Sequence, residues 1–167
     1  EELFFLGRGR VISDREIQEN LGKYPVYSSQ TSNNGCFGEV NFYEFEGEYI
    51  TWTTDGANAG KVFFRNGRFN CTNVCGTLKV KNANEIDTKY FAYLIDRFAF
   101  RHVAVVGNNK LMNNVMAQIK LYYPSSKSEQ TAIATILSRV DEAIEAVQRS
   151  IAAAERLKKS LMQNLLT

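Results

Sequence analysis

The sequence is poor in the residues that metal centres and disulfides need. It has three cysteines and one histidine, His102, among 167 residues. Only Cys71 and Cys75 lie close together in the chain, and no set of cysteine and histidine has the spacing of a zinc site. We therefore expect no metal site, and we expect the cysteines to be three small buried thiols in a reducing environment.

Long apolar runs are also missing. No run approaches the roughly eighteen apolar residues that a membrane-spanning helix needs. The opening residues, EELFFLGRGR, lack the basic start and long apolar middle of a signal peptide. These absences favour a cytoplasmic protein with no membrane association.

The charge balance argues against one class of nucleic-acid binder. The formal net charge is only +2, whereas proteins that bind nucleic acid regardless of sequence are usually far more basic. A sequence-specific reader of duplex DNA can work with a local basic face, because polar groups in the groove carry the discrimination.

The composition changes sharply at Pro124. Before it, short apolar runs alternate with glycines and asparagines; after it the sequence has no glycine, proline or aromatic residue. This shift predicts a compact domain over 1–124 and one long helix over 125–167. Ser126 or Ser128 is expected to cap the helix, with Glu129 completing a capping box.

Residues 1–124 predict an α+β fold. Strands are expected in EGEYITWTT (46–54), CGTLKVKN (75–82) and VMAQIKLYYP (115–124), and GKVFFRNGRF (60–69) predicts two strands joined by an Asn66-Gly67 hairpin. NEIDTKYFAYLIDRFAFRHV (84–103) has helical spacing and begins near Asp87 or Thr88, and SDREIQENL (13–21) is a weaker helix.

The predicted long helix carries a heptad pattern. Its apolar residues repeat at intervals of four and three, with one break where Lys158 falls in register beside Leu157. We expect these residues to pair with another helix: Ile133, Leu137, Val140, Ile144, Val147, Ile151, Ala154, Leu161 and Leu165. About forty helical residues extend roughly 60 Å, about twice the width of a small domain, so the first domain can cover only the first few turns.

No catalytic constellation is found. DGANAGKV (55–62) differs from a phosphate-binding loop in spacing and has Val62 where a Mg²⁺-binding hydroxyl belongs. The alternating Glu44, Glu46 and Glu48 have no nearby lysine to complete a nuclease site and fit a solvated strand face. We predict no catalytic residue.

Four polar, loop-like clusters stand out instead. Asn and Gln can pair with adenine, Lys and Arg with guanine or phosphate, and Ser or Thr with either of these bases. The candidate DNA-binding residues are Ser28, Ser29, Gln30, Thr31, Asn33, Thr53, Thr54, Asp55, Asn58, Lys61, Arg65, Arg68, Asn70, Thr72, Asn73, Asn108, Asn109, Lys110, Asn113 and Asn114. Such residues also make ordinary turns, but four clusters in a domain without a catalytic set favour a recognition surface.

The order of several segments resembles one half of the DNA-specificity subunit of type I restriction-modification systems, a target recognition domain followed by a conserved helix. The matching segments are YPVYSSQTSNNGCFG (24–38), YITWTTDGANAGKVF (49–63), FNCTNVCGTLKV (69–80), KYFAYLI (89–95), GNNKLMNNVMAQIKLYYPSSKSEQTAIATIL (107–137) and LKKSLMQNLLT (157–167). In the segment 107–137, Pro124 followed by Glu129-Gln130 is typical of the start of the conserved helix in this family.

The resemblance implies a non-catalytic subunit that reads part of a split DNA target for a bacterial or archaeal defence system. Its helix would pair antiparallel with a sibling or with a copy of itself, as a spacer. Methyltransferase and restriction subunits would assemble around it and alone would use S-adenosylmethionine, Mg²⁺ and ATP, so this chain needs no cofactor. A full subunit has two recognition domains and two helices, so we expect a half-length form or a fragment, dimerising through the helix.

The sequence is also compatible with two other hypotheses. The chain can be the recognition end of a nuclease or of a fused restriction-methylation enzyme, in which case it would cut or methylate DNA. It can also be a protein-binding adaptor whose polar clusters only make turns, in which case it would not bind duplex DNA even at low salt.

Overall fold

The computed structural model describes residues 2–166. Within these residues ten strands and four α-helices form, in chain order: β1 (Phe4–Arg8), α1 (Asp14–Glu19), β2 (Leu21–Tyr27), β3 (Cys36–Val40), β4 (Phe45–Glu46), β5 (Tyr49–Thr53), β6 (Val62–Arg65), β7 (Arg68–Cys71), β8 (Cys75–Val80), α2 (Thr88–Ala99), β9 (Ala104–Val106), β10 (Asn108–Lys110), α3 (Asn113–Met116) and α4 (Lys127–Leu165). Two short 3-10 helices, Ser32–Gly35 and Phe100–His102, lie between them. The predicted α+β fold with a long C-terminal helix is confirmed.

The first sheet and helix α2 enclose the main core. The four strands of this sheet are antiparallel and run in the order β1-β8-β5-β6. Ile50, Trp52 and Leu78 from this sheet pack against Phe91 and Ile95 of α2. Helix α2 begins where it was predicted, because the Asp87 side chain accepts a hydrogen bond from the Tyr90 amide at 2.8 Å.

The second sheet has the order β3-β2-β7-β4 and includes one parallel pair, β2 with β7. Val26 and Val40 on this sheet pack with Ile17 of α1, a helix that was also predicted. Phe69 forms a separate cluster with Phe45 and other aromatic rings. Cys71 and Cys75 are buried as expected, whereas Cys36 is only half-buried.

The predicted Asn66-Gly67 hairpin is wrong. Strands β6 and β7 do form on either side of this turn, but β6 pairs with β5, and β7 pairs with β2 and β4. Gly67 and Gly47 both have positive φ and exchange backbone hydrogen bonds of 3.0 and 3.2 Å. The turn therefore carries the chain from one sheet to the other, since its hydrogen-bond partner is the Gly47 turn and not a flanking strand.

The strand predicted at 115–124 is also wrong. Helix α3 occupies its first two residues, and 117–124 is irregular. Local hydrogen bonds, such as Ala117 N to Asn113 O at 2.9 Å, turn the backbone. Val115, Ile119 and Leu121 still pack against the main core, so their apolar character reflects burial and not strand alternation.

Helix α4 begins at Lys127 with Ser126 at its N-cap position, but the predicted capping box does not form. The Ser126 hydroxyl bonds to the Ser128 hydroxyl at 2.8 Å and makes no capping bond to an amide. The start of the helix is held by Gln130 instead. Its side chain donates to Pro124 O at 2.9 Å and accepts from Asp87 N at 2.9 Å.

Only the first turns of α4 lie against the domain. Gln130 and Ala134 are buried, and Ile133, predicted as a pairing residue, packs against the main core of its own chain. Farther along, the Tyr93 hydroxyl donates to Asp141 Oδ2 at 2.5 Å. Every described residue from Arg139 onward is exposed. No helix in residues 2–166 is long and apolar enough to cross a bilayer.

The Gln130 anchor predicts a stability effect. Gln130 is 0% exposed, so Gln130→Ala leaves the Asp87 amide and the Pro124 carbonyl without their partner. Unpaired buried groups of this kind cost about 1–3 kcal/mol each, and we expect a loss of about 2–4 kcal/mol in the free energy of unfolding. Urea unfolding followed by fluorescence of Trp52, the only tryptophan, measures this at fixed protein concentration.

The matched control is Gln148→Ala, which removes an exposed amide from the same helix and should change stability by less than about 0.5 kcal/mol. Equal effects from the two variants would show that Gln130 does not anchor the helix.

Candidate nucleic-acid interface

Three of the four predicted polar clusters meet directly through hydrogen bonds. Asn58 Nδ2 donates to Ser29 O at 3.4 Å, which joins the loop after β2 to the loop after β5. Thr72 Oγ1 donates to Ser28 Oγ at 3.1 Å, which adds the turn after β7. Segments far apart in sequence therefore form one continuous polar edge.

The fourth cluster joins this edge through Asp55. Asp55 pairs with Lys110 across an isolated antiparallel bridge, and its Oδ1 lies 3.7 Å from Lys110 Nζ. Beside it, Gly56 N donates to Asn109 O at 3.0 Å. The β9–β10 ribbon is thus attached to the loop after β5.

Arg8, which the sequence reasoning missed, connects three parts of the edge. Its guanidinium donates to Thr54 Oγ1 at 3.1 Å, to Asp55 Oδ2 at 3.3 Å and to the Asn73 carbonyl at 2.5 Å. Arg8 is the last residue of β1, a strand that was not predicted. The apolar FFL directly before Gly7 and Arg8 was the available signal for a strand ending in a basic residue. Arg8 and Lys110 are both positively charged and share the carboxylate of Asp55, so this part of the edge has one net positive charge.

The protein's own hydrogen bonds divide the predicted residues into two groups. Seven of them have exposed or half-buried side chains, and within residues 2–166 no hydrogen-bond partner is found for those side chains. These are Ser29, Thr31, Asn33, Asn73, Asn108, Asn109 and Asn114. Asn33 lies in a turn with φ +49°, a left-handed conformation that asparagine tolerates. These uncommitted polar groups can bind a ligand without breaking an internal bond.

The second group is engaged in building the loops. Thr53, Thr54, Asn70 and Thr72 are buried, and Asn70 Nδ2 donates to Phe42 O at 2.9 Å. The half-buried Gln30 and Asn113 donate to the carbonyls of Cys36 and Gly7 respectively. These side chains position the edge and are not presented on it.

Arg65 is the clearest example of a basic residue inside the domain. It is 3% exposed, and its guanidinium carbon lies 3.5 Å from the ring centre of Tyr27 and 4.4 Å from that of Phe63. Arg65 Nε donates to Thr51 Oγ1 at 3.2 Å. Burial lowers the pKa of the Arg65 guanidinium below its ordinary value, although arginine remains charged at neutral pH. Its stacking between rings makes it a packing residue.

Lys61 and Arg68 are exposed but already paired with carboxylates. Lys61 Nζ lies 2.8 Å from Asp96 Oδ2 on helix α2, and Arg68 Nε lies 2.7 Å from Glu46 Oε1. Arg10 pairs likewise with Glu44. Two of the alternating carboxylates are therefore bound to arginines, and no group of three or more potential metal ligands occurs among the described residues.

Comparison with known proteins identifies the family. Residues 1–156 match the family model described as the type I restriction modification DNA specificity domain. The chain belongs to this family. The resemblance inferred from the sequence is thereby confirmed.

Several Mycoplasma pneumoniae specificity subunits are similar to this DNA specificity domain. One, named as a type I specificity subunit N-terminus, is 52% identical over 131 residues, covering 78% of this chain and 69% of the relative. The type I restriction enzyme MpnII specificity subunit is 40% identical over 163 residues, covering 95% of this chain and 48% of the relative. The chain thus spans between about half and two thirds of the length of these two relatives.

Solved structures share the fold of this specificity domain. The type I restriction-modification S subunit from M. genitalium superposes with a TM-score of 0.77 at 22% identity, covering 98% of this chain and 43% of that one. The HsdS subunit from Thermoanaerobacter tengcongensis gives a TM-score of 0.63 at 10% identity, covering 89% and 38% of the two chains.

Two substitutions of the buried Arg65 distinguish a packing role of this residue from a role in contacting DNA. Arg65→Met keeps a long apolar stem between the rings and removes a buried charge, so we expect duplex affinity to change less than about twofold. Arg65→Ala leaves a cavity and should lower the free energy of unfolding by about 2–4 kcal/mol. Thermal unfolding and duplex titration measure the two effects. A large loss of affinity in a stable Arg65→Met protein would instead make Arg65 a DNA contact.

Proposed function

We propose that this chain reads one part of a two-part double-stranded DNA target as the non-catalytic specificity component of a type I restriction-modification complex. The observation that carries the proposal is the polar edge, in which four separate loops meet and three of them present uncommitted amides beside Arg8 and Lys110. Membership of the DNA specificity family supports the same function.

The side chains of the edge suit base reading. Asparagine can donate and accept at once and so pairs bidentately with adenine N6 and N7. Arg8 and Lys110 can contact phosphates, which sets register without carrying sequence information. The exposed members of the predicted set form the proposed contact surface, while the buried members hold its loops in place.

The long helix acts as a spacer in this proposal. Its apolar residues from Leu137 to Leu165 are exposed on a helix of 39 residues. Each such side chain left in water forgoes roughly 1.5–3 kcal/mol of burial, which favours pairing with a second helix. An antiparallel coiled coil with a copy of itself or a sibling would hold two recognition domains about one helix length apart.

Catalysis belongs to partner subunits in this scheme. A methyltransferase subunit would transfer a methyl group from S-adenosylmethionine to adenine, and a restriction subunit would cleave DNA using ATP and Mg²⁺. These assemblies act on DNA in the cytoplasm, which is where we place this chain.

Sequence-selective binding is the first test. The full chain is used to select duplexes from a random pool, and affinities for the selected and scrambled duplexes are then compared at one salt concentration. We expect each mismatch in the selected site to cost about 1–3 kcal/mol. Equal affinity for every duplex at matched salt would refute specific reading.

The second test concerns the helix. Val140 and Ile144 are 51% and 50% exposed, and changing both to glutamate would bury four like charges in a symmetric coiled coil. We expect Val140→Glu with Ile144→Glu to sediment as a monomer, while Trp52 fluorescence reports an intact recognition domain. The control, Ala146→Glu with Ala153→Glu, adds the same charge away from the heptad positions and should remain dimeric. An unchanged sedimentation mass in the first variant would contradict pairing through these residues.

A further inference from the structure

The β9–β10 ribbon projects from the polar edge and is held mainly at its base. Leu111 N donates to Thr54 O at 2.9 Å, and Gly56 N donates to Asn109 O at 3.0 Å. At the other end Gly107 turns the chain with φ +71°, and an added Cβ at this position would meet nothing within 4 Å. The ribbon tip is therefore free of the rest of the domain.

The register of the ribbon places Val105 directly opposite Asn109. Side chains of directly opposite residues lie on the same face of a two-stranded ribbon. Val105 is 76% exposed, and in the part of the chain that the structure describes no hydrogen-bond partner is found for the Asn109 amide. One face of the ribbon thus pairs an exposed branched apolar side chain with an uncommitted amide.

This combination is complementary to one base pair. In the major groove an A·T pair presents the adenine N7 acceptor and N6 donor beside the thymine methyl group. An asparagine amide can pair with adenine N7 and N6, and an apolar side chain can contact the thymine methyl group. A G·C pair has no methyl group and presents two acceptors from guanine, which one asparagine amide cannot pair in the same way.

We propose that the β9–β10 ribbon enters the major groove and reads one A·T pair, an inference that rests on the proposed function. Asn109 bonds the adenine edge, and Val105 contacts the thymine methyl group. The major groove is about 12 Å wide and admits a two-stranded ribbon.

Charges at the base of the ribbon fit this placement. Lys110 is exposed on the opposite face from Asn109 and shares Asp55 with Arg8, at 3.7 and 3.3 Å. One net positive charge therefore lies where the ribbon joins the domain. From there a long side chain can reach a phosphate at the rim of the groove while Val105 and Asn109 remain at the base edges.

Selection from a random duplex pool tests the amide. The full-length chain and Asn109→Ala are compared. We expect Asn109→Ala to lose preference at one A·T position by roughly 5- to 150-fold, the range for a bidentate contact, and to keep the preferences elsewhere. Lys110→Ala should instead weaken all duplexes about equally and lower the salt dependence by about one phosphate contact. Asn84→Ala, at an exposed asparagine outside the edge, is the matched control and should leave the selected site unchanged.

Replacement of thymine by deoxyuridine tests the methyl contact, because it deletes only the methyl group. The unaltered chain should lose about threefold to fourfold in affinity when this replacement is made at the assigned position, the value of one buried methyl group. Val105→Ala should be insensitive to the replacement. Val11→Ala, at another exposed valine, should respond as the unaltered chain does.

The outcomes separate this inference from the function on which it rests. If the unaltered chain selects a site and Asn109→Ala and Val105→Ala keep every base preference, the ribbon assignment is overturned while specific DNA reading stands. Loss of preference at a position that is not A·T also overturns the assignment. If the unaltered chain shows no sequence preference, both the assignment and the proposed function fail.

Discussion

The arrangement of this domain depends on how Trp52 is buried. Trp52 belongs to strand β5, and its indole occupies the space that a side chain at Gly76 of β8 would need. The indole Nε1 donates to Leu111 O at 2.9 Å. An added Cβ on Gly76 would come within 2.1 Å of the ring. This one side chain therefore fixes the end of β5 against both the next strand and the segment that follows the ribbon.

The polar edge follows from that constraint. Because Trp52 holds Leu111, the Leu111 amide reaches Thr54 O and Lys110 faces Asp55. Arg8 then bonds across Thr54, Asp55 and Asn73, which ties the end of β1 to the loops after β5 and β7. An apolar core interaction and a small set of internal hydrogen bonds thus position loops that are themselves exposed, as in other proteins whose binding loops sit on a rigid scaffold.

The helix and the edge divide the molecule into two kinds of surface. Near Pro124, Gln130 and Ala134 secure α4 to α2, so the helix direction is set by the domain. From Arg139 onward the helix makes an exposed apolar stripe with charged flanks. A rigid connection between such a stripe and the polar edge is what the proposed spacer role requires, since the distance between two paired domains would then be set by helix length and not by a flexible linker.

Local patterns in the sequence determined the long helix, helix α2 with its Asp87 cap, and the strands at Tyr49–Thr53 and Cys75–Val80, because these depend on neighbouring residues and on periodicity. The same patterns showed which loops are polar. Only the tertiary structure decided that β6 and β7 belong to different sheets and that Ile133 packs against the core of its own domain. It also decided that Arg65 lies between Tyr27 and Phe63, whereas no partner is found for the Asn109 amide among residues 2–166. Burial and pairing depend on contacts between residues far apart in the chain. The local sequence pattern therefore does not show which basic or amide side chain will have a partner inside the protein.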